Sequence, residues 1–211
     1  MAINITELTE LTGKDIDRIT DLFLDAFHDY PKLESAFPEG KKRKAALEAT
    51  IRFYAAYDLR FGKGYALDPA INEAVLIVES EEMHYSFFRY LRAGSYSGKY
   101  RKAMKQLTQE DRQKRLQLFE ELDAMEKTLD IPHPHLYIDF VGVRTDLQGQ
   151  GRGRRLMSRI CGYADERGLP LMLFTNTEED IKFYGSLGFE IIGETHSDKF
   201  KFTNCYMVRK S

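Results

Sequence analysis

A turn with glycine at alternate positions is the part of this 211-residue sequence best suited by its spacing to a chemical task. Gly149, Gly151 and Gly153 follow an apolar segment and open a helical pattern. Glycines let the backbone approach a ligand closely, and helix N-termini attract anions. Three arginines crowd the same helix start, where the helix dipole disfavours cations: Arg152, Arg154 and Arg155. The turn therefore predicts an anion-binding cradle, with a structural turn carrying solvated arginines as the alternative.

Two common nucleotide-binding motifs do not fit this turn. A P-loop needs Gly-Lys-Ser/Thr after its glycines, and none follows here. A Rossmann fingerprint counted from Gly149 places Arg154 where its third glycine should stand. The sequence therefore argues against NAD and nucleoside triphosphates as ligands.

Alternating strand and helix patterns surround the turn and must position it. The C-terminal third predicts helices packed on a mixed sheet, with elements at 136–144, 151–167, 171–175, 178–187, 190–194 and 204–210. Upstream we expect a short strand around Ile3, Ile5 and Leu8, and a helix from Ile16 to Phe27 that Pro31 ends. A second helix at 41–59, strands at 64–67 and 74–79, and a helical stretch at 83–129 complete the pattern. No linker or repeat is visible, so we expect one domain over 1–211.

Composition excludes several classes of protein. Lys+Arg 31 against Asp+Glu 33 argues against a surface built wholly for nucleic acid or acidic membrane. The segment 89–115 holds nine Lys/Arg against two acidic residues and could bind a polyanion. We interpret it instead as a solvated helix face balanced by the acidic stretch 120–130, because such stretches are common on exposed helices.

Cys161 and Cys205 lack metal or disulfide spacing, and His133 and His135 lack further ligands, so we expect no metal. Without a signal peptide or apolar span, a soluble cytoplasmic protein is predicted.

Two motifs resemble a known family. The stretch Val143-x-x-Asp146-x-Gln148-Gly-Gln-Gly151-Arg-Gly153 is similar to the acetyl-CoA signature of the GNAT superfamily of N-acetyltransferases. Downstream, Phe183-Tyr184-Gly-Ser-Leu-Gly-Phe189 resembles the end of that family's fourth helix and the turn after it. The likeness covers about residues 132–194. The entry at His135 and the helical insertion before it are loosely similar to the puromycin N-acetyltransferase-like branch.

The resemblance implies the fold and the cofactor. The fold is α/β (α+β): a mixed, mostly antiparallel twisted sheet flanked by helices, with a helical insertion before the fourth strand. Acetyl-CoA is the implied co-substrate, with pantetheine in a gap between the strands at 136–144 and 171–175. The backbone positions implied for cofactor binding are Val141, Gly142, Val143, Gln148, Gly149, Gln150, Gly151, Arg152, Gly153 and Arg154. Thr177 and Asp180 stand where the family has Asn-x-x-Asn, and they resemble a capping box.

Acetyl transfer to an amine needs a base, stabilisation of an oxyanion and a proton for the departing thiolate. The resemblance gives the last role to Tyr184. Asp139 is the best carboxylate for the base, because residues 137, 139, 141 and 143 share one face of the strand by its period of two, which places Asp139 beside the expected thioester. A structural hydrogen bond is the alternative role of Asp139. Tyr137 and Phe174 fill positions where the family places its glutamate.

The acceptor is predicted to be a small-molecule primary amine. The family builds its acceptor pocket partly from the turn between the first two helices, here Phe27-His-Asp-Tyr-Pro31. Phe27, Asp29 and Tyr30 would suit an aromatic or cationic amine. A CoA-binding sensor or interaction module without catalysis is the rival function. We expect neither nucleic acid nor membrane as partner, and a homodimer stays open, as does the identity of the amine.

Overall fold

The computed structural model describes residues 4–30 and 41–211. In these residues seven strands form one sheet in the order β1-β2-β3-β4-β5-β7-β6, in which all neighbours are antiparallel except β4 and β5. The strands are β1 Thr9–Leu11, β2 Lys63–Ala66, β3 Glu73–Glu79, β4 Leu136–Val143, β5 Leu171–Thr175, β6 Glu190–Ser197 and β7 Phe202–Arg209. The predicted mixed, mostly antiparallel sheet is therefore confirmed.

Helices cover both faces of the sheet. They are α1 Ile16–Ala26, α2 Lys41–Phe61, α3 Phe87–Ala93, α4 Gly98–Gln106, α5 Gln109–Glu126, α6 Arg152–Arg167 and α7 Glu178–Gly185. Phe23 of α1 and Ile51 of α2 lie in one buried apolar cluster, whereas Leu156 and Ile160 of α6 lie in another. Helices α3 to α5 form the predicted insertion before the fourth strand.

The N-terminal elements differ from the sequence pattern in two places. The predicted strand around Ile5 and Leu8 is a turn, in which the Leu8 N–H donates to the Ile5 carbonyl at 3.1 Å, and the strand begins only at Thr9. Ile5 is apolar because it is buried in the cluster on the α6 side, without pairing in the sheet. Helix α1 ends at Ala26, before the predicted stop at Pro31, which lies outside the described residues.

Strand β4 contains a β-bulge at Asp139. Across the ladder Leu76 pairs with Phe140 and Ile77 pairs with Ile138, so Asp139 has no opposite residue in β3. A bulge adds one residue to a strand and interrupts the alternation of its side chains. The bulge therefore changes, between the two halves of β4, which residues point to each face of the sheet.

The predicted common face of residues 137, 139, 141 and 143 is wrong for this reason. Before the bulge Ile138 packs on the α6 side of the sheet, and Tyr137 belongs to a different cluster. After the bulge Val141 packs on the α6 side, whereas Phe140 stacks on Phe23 of α1 with ring centroids 5.1 Å apart. Odd-numbered residues on the two sides of Asp139 thus point to opposite faces.

Candidate active site

A cleft of about 930 Å³ opens where β4 and β5 separate. The parallel ladder between these strands consists of Leu136 with Leu171 and Tyr137 with Met172, and no further pairs join them in the described residues. Sixteen of the predicted site residues line this cleft: Phe27, Asp29, Tyr30, Asp139, Val141, Gly142, Val143, Gln148, Gly149, Gly151, Arg152, Gly153, Arg154, Thr177, Asp180 and Tyr184. Gln150 does not line it, and its side chain donates to the Asp146 carbonyl at 3.4 Å.

The C-terminal half of β4 forms one wall of the cleft. Residues 141–143 pair with β3 along one edge and have no ladder partner in β5 along the other. A Cβ atom on Gly142 would lie 2.8 Å from a ring carbon of Phe23 and 3.1 Å from Ala26 Cβ. The packing of α1 therefore demands this glycine, while the strand leaves backbone groups available toward the cleft.

The glycine turn forms the next wall. Gly149 and Gly151 have φ values of +74° and +75°, a conformation that side chains disfavour, although a Cβ on either would meet nothing within 4 Å. Gly151 is the residue before α6, and the first N–H groups of that helix have no intrahelical acceptor. Such a helix start lining a cleft can bind an anion through backbone N–H groups.

Two of the three arginines at this turn, Arg152 and Arg154, have partners within the protein. Arg152 pairs with Glu73, whose side chain is fully buried, and its Nη2 lies 2.9 Å from Asp68 Oδ2. Arg154 donates to Ser186 Oγ at 2.7 Å. The unfavourable placement of Arg152 at a helix start is thus relieved within the chain, because two carboxylates neutralise it.

The start of α7 faces the cleft from β5. Thr177 accepts a hydrogen bond from the Asp180 N–H at 3.1 Å, as in the predicted capping box. The reciprocal bond is absent among the described residues, since Asp180 Oδ2 accepts from the Thr175 hydroxyl at 2.9 Å instead. Tyr30 joins this network: its hydroxyl lies 3.0 Å from Thr175 Oγ1 and accepts from the Asn176 N–H at 3.0 Å. The network ties the loop after α1 to the end of β5.

Tyr184 lies beside this network and lines the cleft with 9% of its surface exposed. Its ring packs against Phe183 and Phe189 with centroids 5.1 Å and 5.6 Å away. Burial, and then the charge of Asp180, raise its pKa well above the usual range. Tyr184 is therefore a neutral phenol that carries its proton across the physiological range of pH.

The predicted acceptor loop contributes unequally. Phe27 packs edge-on to Tyr30 at 5.4 Å and lies 6.0 Å from Phe140. The side chain of Asp29 is 74% exposed, and its Oδ2 lies 2.7 Å from His28 Nε2. Phe27 and Tyr30 thus form part of the packed wall, whereas Asp29 lies at the solvent-facing edge.

Sequence reasoning missed the inner end of the cleft, which α2 and the segment before α3 supply. Asp58 of α2 is buried and hydrogen-bonded to Asp139. Four tyrosines line the cleft near this pair: Tyr54, Tyr85, Tyr90 and Tyr137. Burial raises the pKa of Tyr54 to about 12. The sequence does carry one sign of Asp58's importance, because this residue is a carboxylate among the apolar residues of the predicted helix 41–59.

The two cysteines, His133 and His135, and the basic residues of the segment 89–115 do not line the cleft. Cys161 and Cys205 are buried free thiols, and burial raises the pKa of Cys205 to about 11. His135 Nδ1 bonds the Pro132 carbonyl at 2.7 Å, and no trio of His, Cys, Asp or Glu within residues 4–30 and 41–211 is grouped to hold a metal. In the basic segment, Arg89 pairs with Glu82, and Lys99 lies 3.7 Å from both Asp17 and Glu48.

None of the helices in the described part of the chain combines the length and apolar character needed to cross a membrane.

Comparisons with known proteins agree with this geometry. Residues 101–189 match the model of the acetyltransferase (GNAT) family. A Corynebacterium glutamicum structure described as histone acetyltransferase HPA2 and related acetyltransferase has 17% identity and a TM-score of 0.61, covering 97% of this chain and 96% of that one. The Drosophila melanogaster polyamine N-acetyltransferase has 14% identity and a TM-score of 0.62 over 97% and 99% of the two chains. Arylalkylamine N-acetyltransferase 2 from Aedes aegypti has 14% identity and a TM-score of 0.61 over 96% and 97%.

The fold, the cleft and the family match together define an acyltransferase. More narrowly, the matched segment, residues 101–189, resembles the GNAT family of acetyltransferases. The looser resemblance to the puromycin N-acetyltransferase-like branch stays a prediction.

Proposed function

We propose that this chain is an acetyl-CoA-dependent N-acetyltransferase, which passes the acetyl group directly to the primary amine of a small molecule. One observation carries the proposal: the β4–β5 gap joins the glycine turn before α6 to a pocket rich in tyrosines and carboxylates. Val143 lies four positions after Asp139 in β4, about 13 Å at the usual rise per residue. That length suits an extended pantetheine arm with its phosphates at the turn.

The two ends of the cleft differ in charge as the reaction requires. Two arginines among the described residues line it at the glycine turn, and because Glu73 and Asp68 neutralise Arg152, the attraction for an anion comes from Arg154 and the first N–H groups of α6. The lining elsewhere includes the carboxylates of Asp29, Glu126 and Asp139. A phosphate-bearing cofactor is favoured at the first end, and an ammonium group is favoured at the second.

The proposed chemistry has three steps. Asp139, directly or through water, takes a proton from the acceptor ammonium, which is otherwise almost wholly charged at pH 7 because its pKa is about 10.4. The free amine attacks the thioester carbonyl, and backbone N–H groups of β4 facing the gap stabilise the oxyanion. The C–N bond forms and the C–S bond breaks, and Tyr184 protonates the departing thiolate; the attacking nitrogen loses its second proton to water, and a proton from water restores the Tyr184 phenol.

A CoA-binding protein without catalysis is the competing function, since the same turn would hold the cofactor in either case. One experiment distinguishes these two functions. The protein is mixed with acetyl-CoA and each member of a panel of aromatic amines, diamines and aminoglycosides, and the released thiol is measured. Thermal stabilisation of the protein by CoA is measured in parallel. The proposed enzyme shows both signals. Stabilisation by CoA without thiol release from any amine would support the binding protein, and absence of both would overturn the cofactor site.

A further inference from the structure

Two aspartates from different elements meet at the inner end of the cleft. Asp58 lies three residues before the end of α2, and Asp139 is the bulged residue of β4. Their carboxyl groups are hydrogen-bonded to each other. Asp58 is only 1% exposed, and its Oδ2 atom is buried with no partner among the described residues.

A hydrogen bond between two carboxyl groups requires a proton, because an ionised carboxylate has only acceptors. The groups that act on the Asp58 carboxyl in the described structure are its buried surroundings and Asp139. Both disfavour ionisation and raise the pKa of Asp58 well above the usual range. Asp58, the more deeply buried of the two, is therefore the member that retains the proton.

Five tyrosines lie near enough to this pair to interact with it electrostatically. The tyrosines that interact electrostatically with Asp58 or Asp139 come from α2, the segment before α3, α3 and β4: Tyr54, Tyr57, Tyr85, Tyr90 and Tyr137. The rings of Tyr85 and Tyr90 both lie 5.1 Å from that of Tyr57. Tyrosine faces attract cations, and a carboxylate among them adds directional acceptors for N–H groups.

Other charged groups face the tyrosines. Arg89 donates to the Tyr57 hydroxyl at 3.0 Å, and that hydroxyl donates to the Glu82 carbonyl at 2.8 Å. Arg115 acts on Tyr54, and Glu126 acts on Tyr137. Asp58 and Asp139 thus lie near five tyrosines, and Arg89, Arg115 and Glu126 interact with members of this group.

We propose that Asp58 is a positioning residue: as a protonated carboxyl group it donates to Asp139 and holds that carboxylate, with a single negative charge, toward an ammonium group of the acceptor. The inference rests on the proposed function and identifies the acceptor end of the same site. It assigns this end to a ligand with one ammonium head group and an aromatic or alkyl body. Asp58 itself does not touch the ligand.

The test exploits the likeness of asparagine to a protonated aspartate, since both can donate to Asp139. The probes are phenethylamine and its neutral analogue phenethyl alcohol, whose binding to the CoA-saturated protein is measured by calorimetry. The unmodified protein and Asp58→Asn are expected to prefer the ammonium. Asp58→Ala and Asp58→Leu are expected to lose about tenfold in phenethylamine affinity, the effect of one lost hydrogen bond to a charged group.

Three results would overturn the inference: no preference for the ammonium in the unmodified protein, an unchanged preference in the Ala and Leu variants, or an Asn variant as impaired as they are. Infrared spectroscopy gives a reading that needs no ligand. The difference spectrum of the unmodified protein minus Asp58→Asn at pH 7 should show the carbonyl stretch of a protonated carboxyl group, and its absence would equally refute the inference. Failure of the proposed function would appear separately, as absent CoA-induced stabilisation or thiol release.

Discussion

Arg152, the first residue of α6, forms an ion pair with Glu73, a fully buried carboxylate of β3. The other oxygen of Glu73 accepts from the Leu67 N–H at 3.1 Å, and Arg152 also reaches Asp68. One buried carboxylate thus joins the segment after β2, strand β3 and the helix at the glycine turn. A cation at the start of a helix is tolerated here because two anions neutralise it.

Replacing Arg152 by Ala should therefore reduce stability whether or not CoA binds. The variant leaves Glu73 buried without its cation, which costs about 3 kcal/mol in comparable cases. Urea denaturation without ligand measures the loss. Arg155→Ala, on an exposed side chain of the same helix, is the control and should change stability by less than about 0.5 kcal/mol. Equal stability of the two variants would show that the buried pair contributes little.

Gly151→Asp should abolish CoA binding while leaving the protein folded. The new carboxylate would repel the phosphates at the helix start, and the residue must adopt the left-handed conformation that costs about 1–2 kcal/mol. The unmodified protein should gain about 2.7 kcal/mol at a CoA concentration one hundred times the dissociation constant. Thermal unfolding with and without CoA measures both effects.

Gly168→Asp is the matched control for that variant. Gly168 ends the same helix with φ of +61°, and a Cβ there also meets nothing within 4 Å. It should lose a similar amount of stability and keep the full CoA-induced stabilisation. If both variants respond to CoA alike, the glycine turn does not bind the phosphates.

Tyr184→Phe should lower turnover about 10²-fold while the protein stays folded, since only the hydroxyl is removed. Because burial raises the pKa of Tyr184, the phenol keeps its proton through neutral and mildly basic pH, and the loss should be constant from about pH 6 to 9. Steady-state rates across this range measure the loss. Tyr163→Phe, at a buried tyrosine of α6 outside the cleft lining, should keep full activity. Turnover unaffected by Tyr184→Phe, with chemistry rate-limiting, would return Tyr184 to a packing role.

Asp139→Asn should lose activity that is partly recovered at high pH, where more of the acceptor is free amine and a base matters less. The pH profile of kcat/KM, compared with that of the unmodified enzyme, measures the recovery. A structural Asp139 would instead give a lower melting temperature with an unchanged profile. A stable, fully active variant would eliminate the assignment.

Asp58→Asn should change how stability depends on pH. The pKa of Asp58 is raised on folding, so the folded protein binds this proton more tightly than the unfolded chain. Its contribution is complete below about pH 4, the unfolded value, and declines as pH rises toward the folded pKa. The Asn variant removes that decline, so its stability relative to the unmodified protein should increase from pH 4 to pH 7. Urea denaturation at the two values measures it, and a constant difference would contradict a retained proton.

The sequence by itself predicted the elements from Leu136 to the chain end and the glycine turn that lines the cleft. Local chemistry decides these features: apolar periodicity marks the elements, and the glycine turn must have special backbone angles whatever packs around it. Gly149 and Gly151 do adopt left-handed conformations next to α6. The separation of β4 from β5 followed from the family resemblance rather than from these patterns, and the order of the seven strands came from the structure alone.

Only the tertiary structure decided the partners of the charged residues. The bulge at Asp139 depends on how β4 aligns with β3, and that register is a property of two strands about 60 residues apart. The contacts of Asp139 with Asp58 and of Arg152 with Glu73 likewise join residues 81 and 79 positions apart. No local pattern encodes such contacts, because they form only when separate helices and strands pack and exclude water from the groups between them.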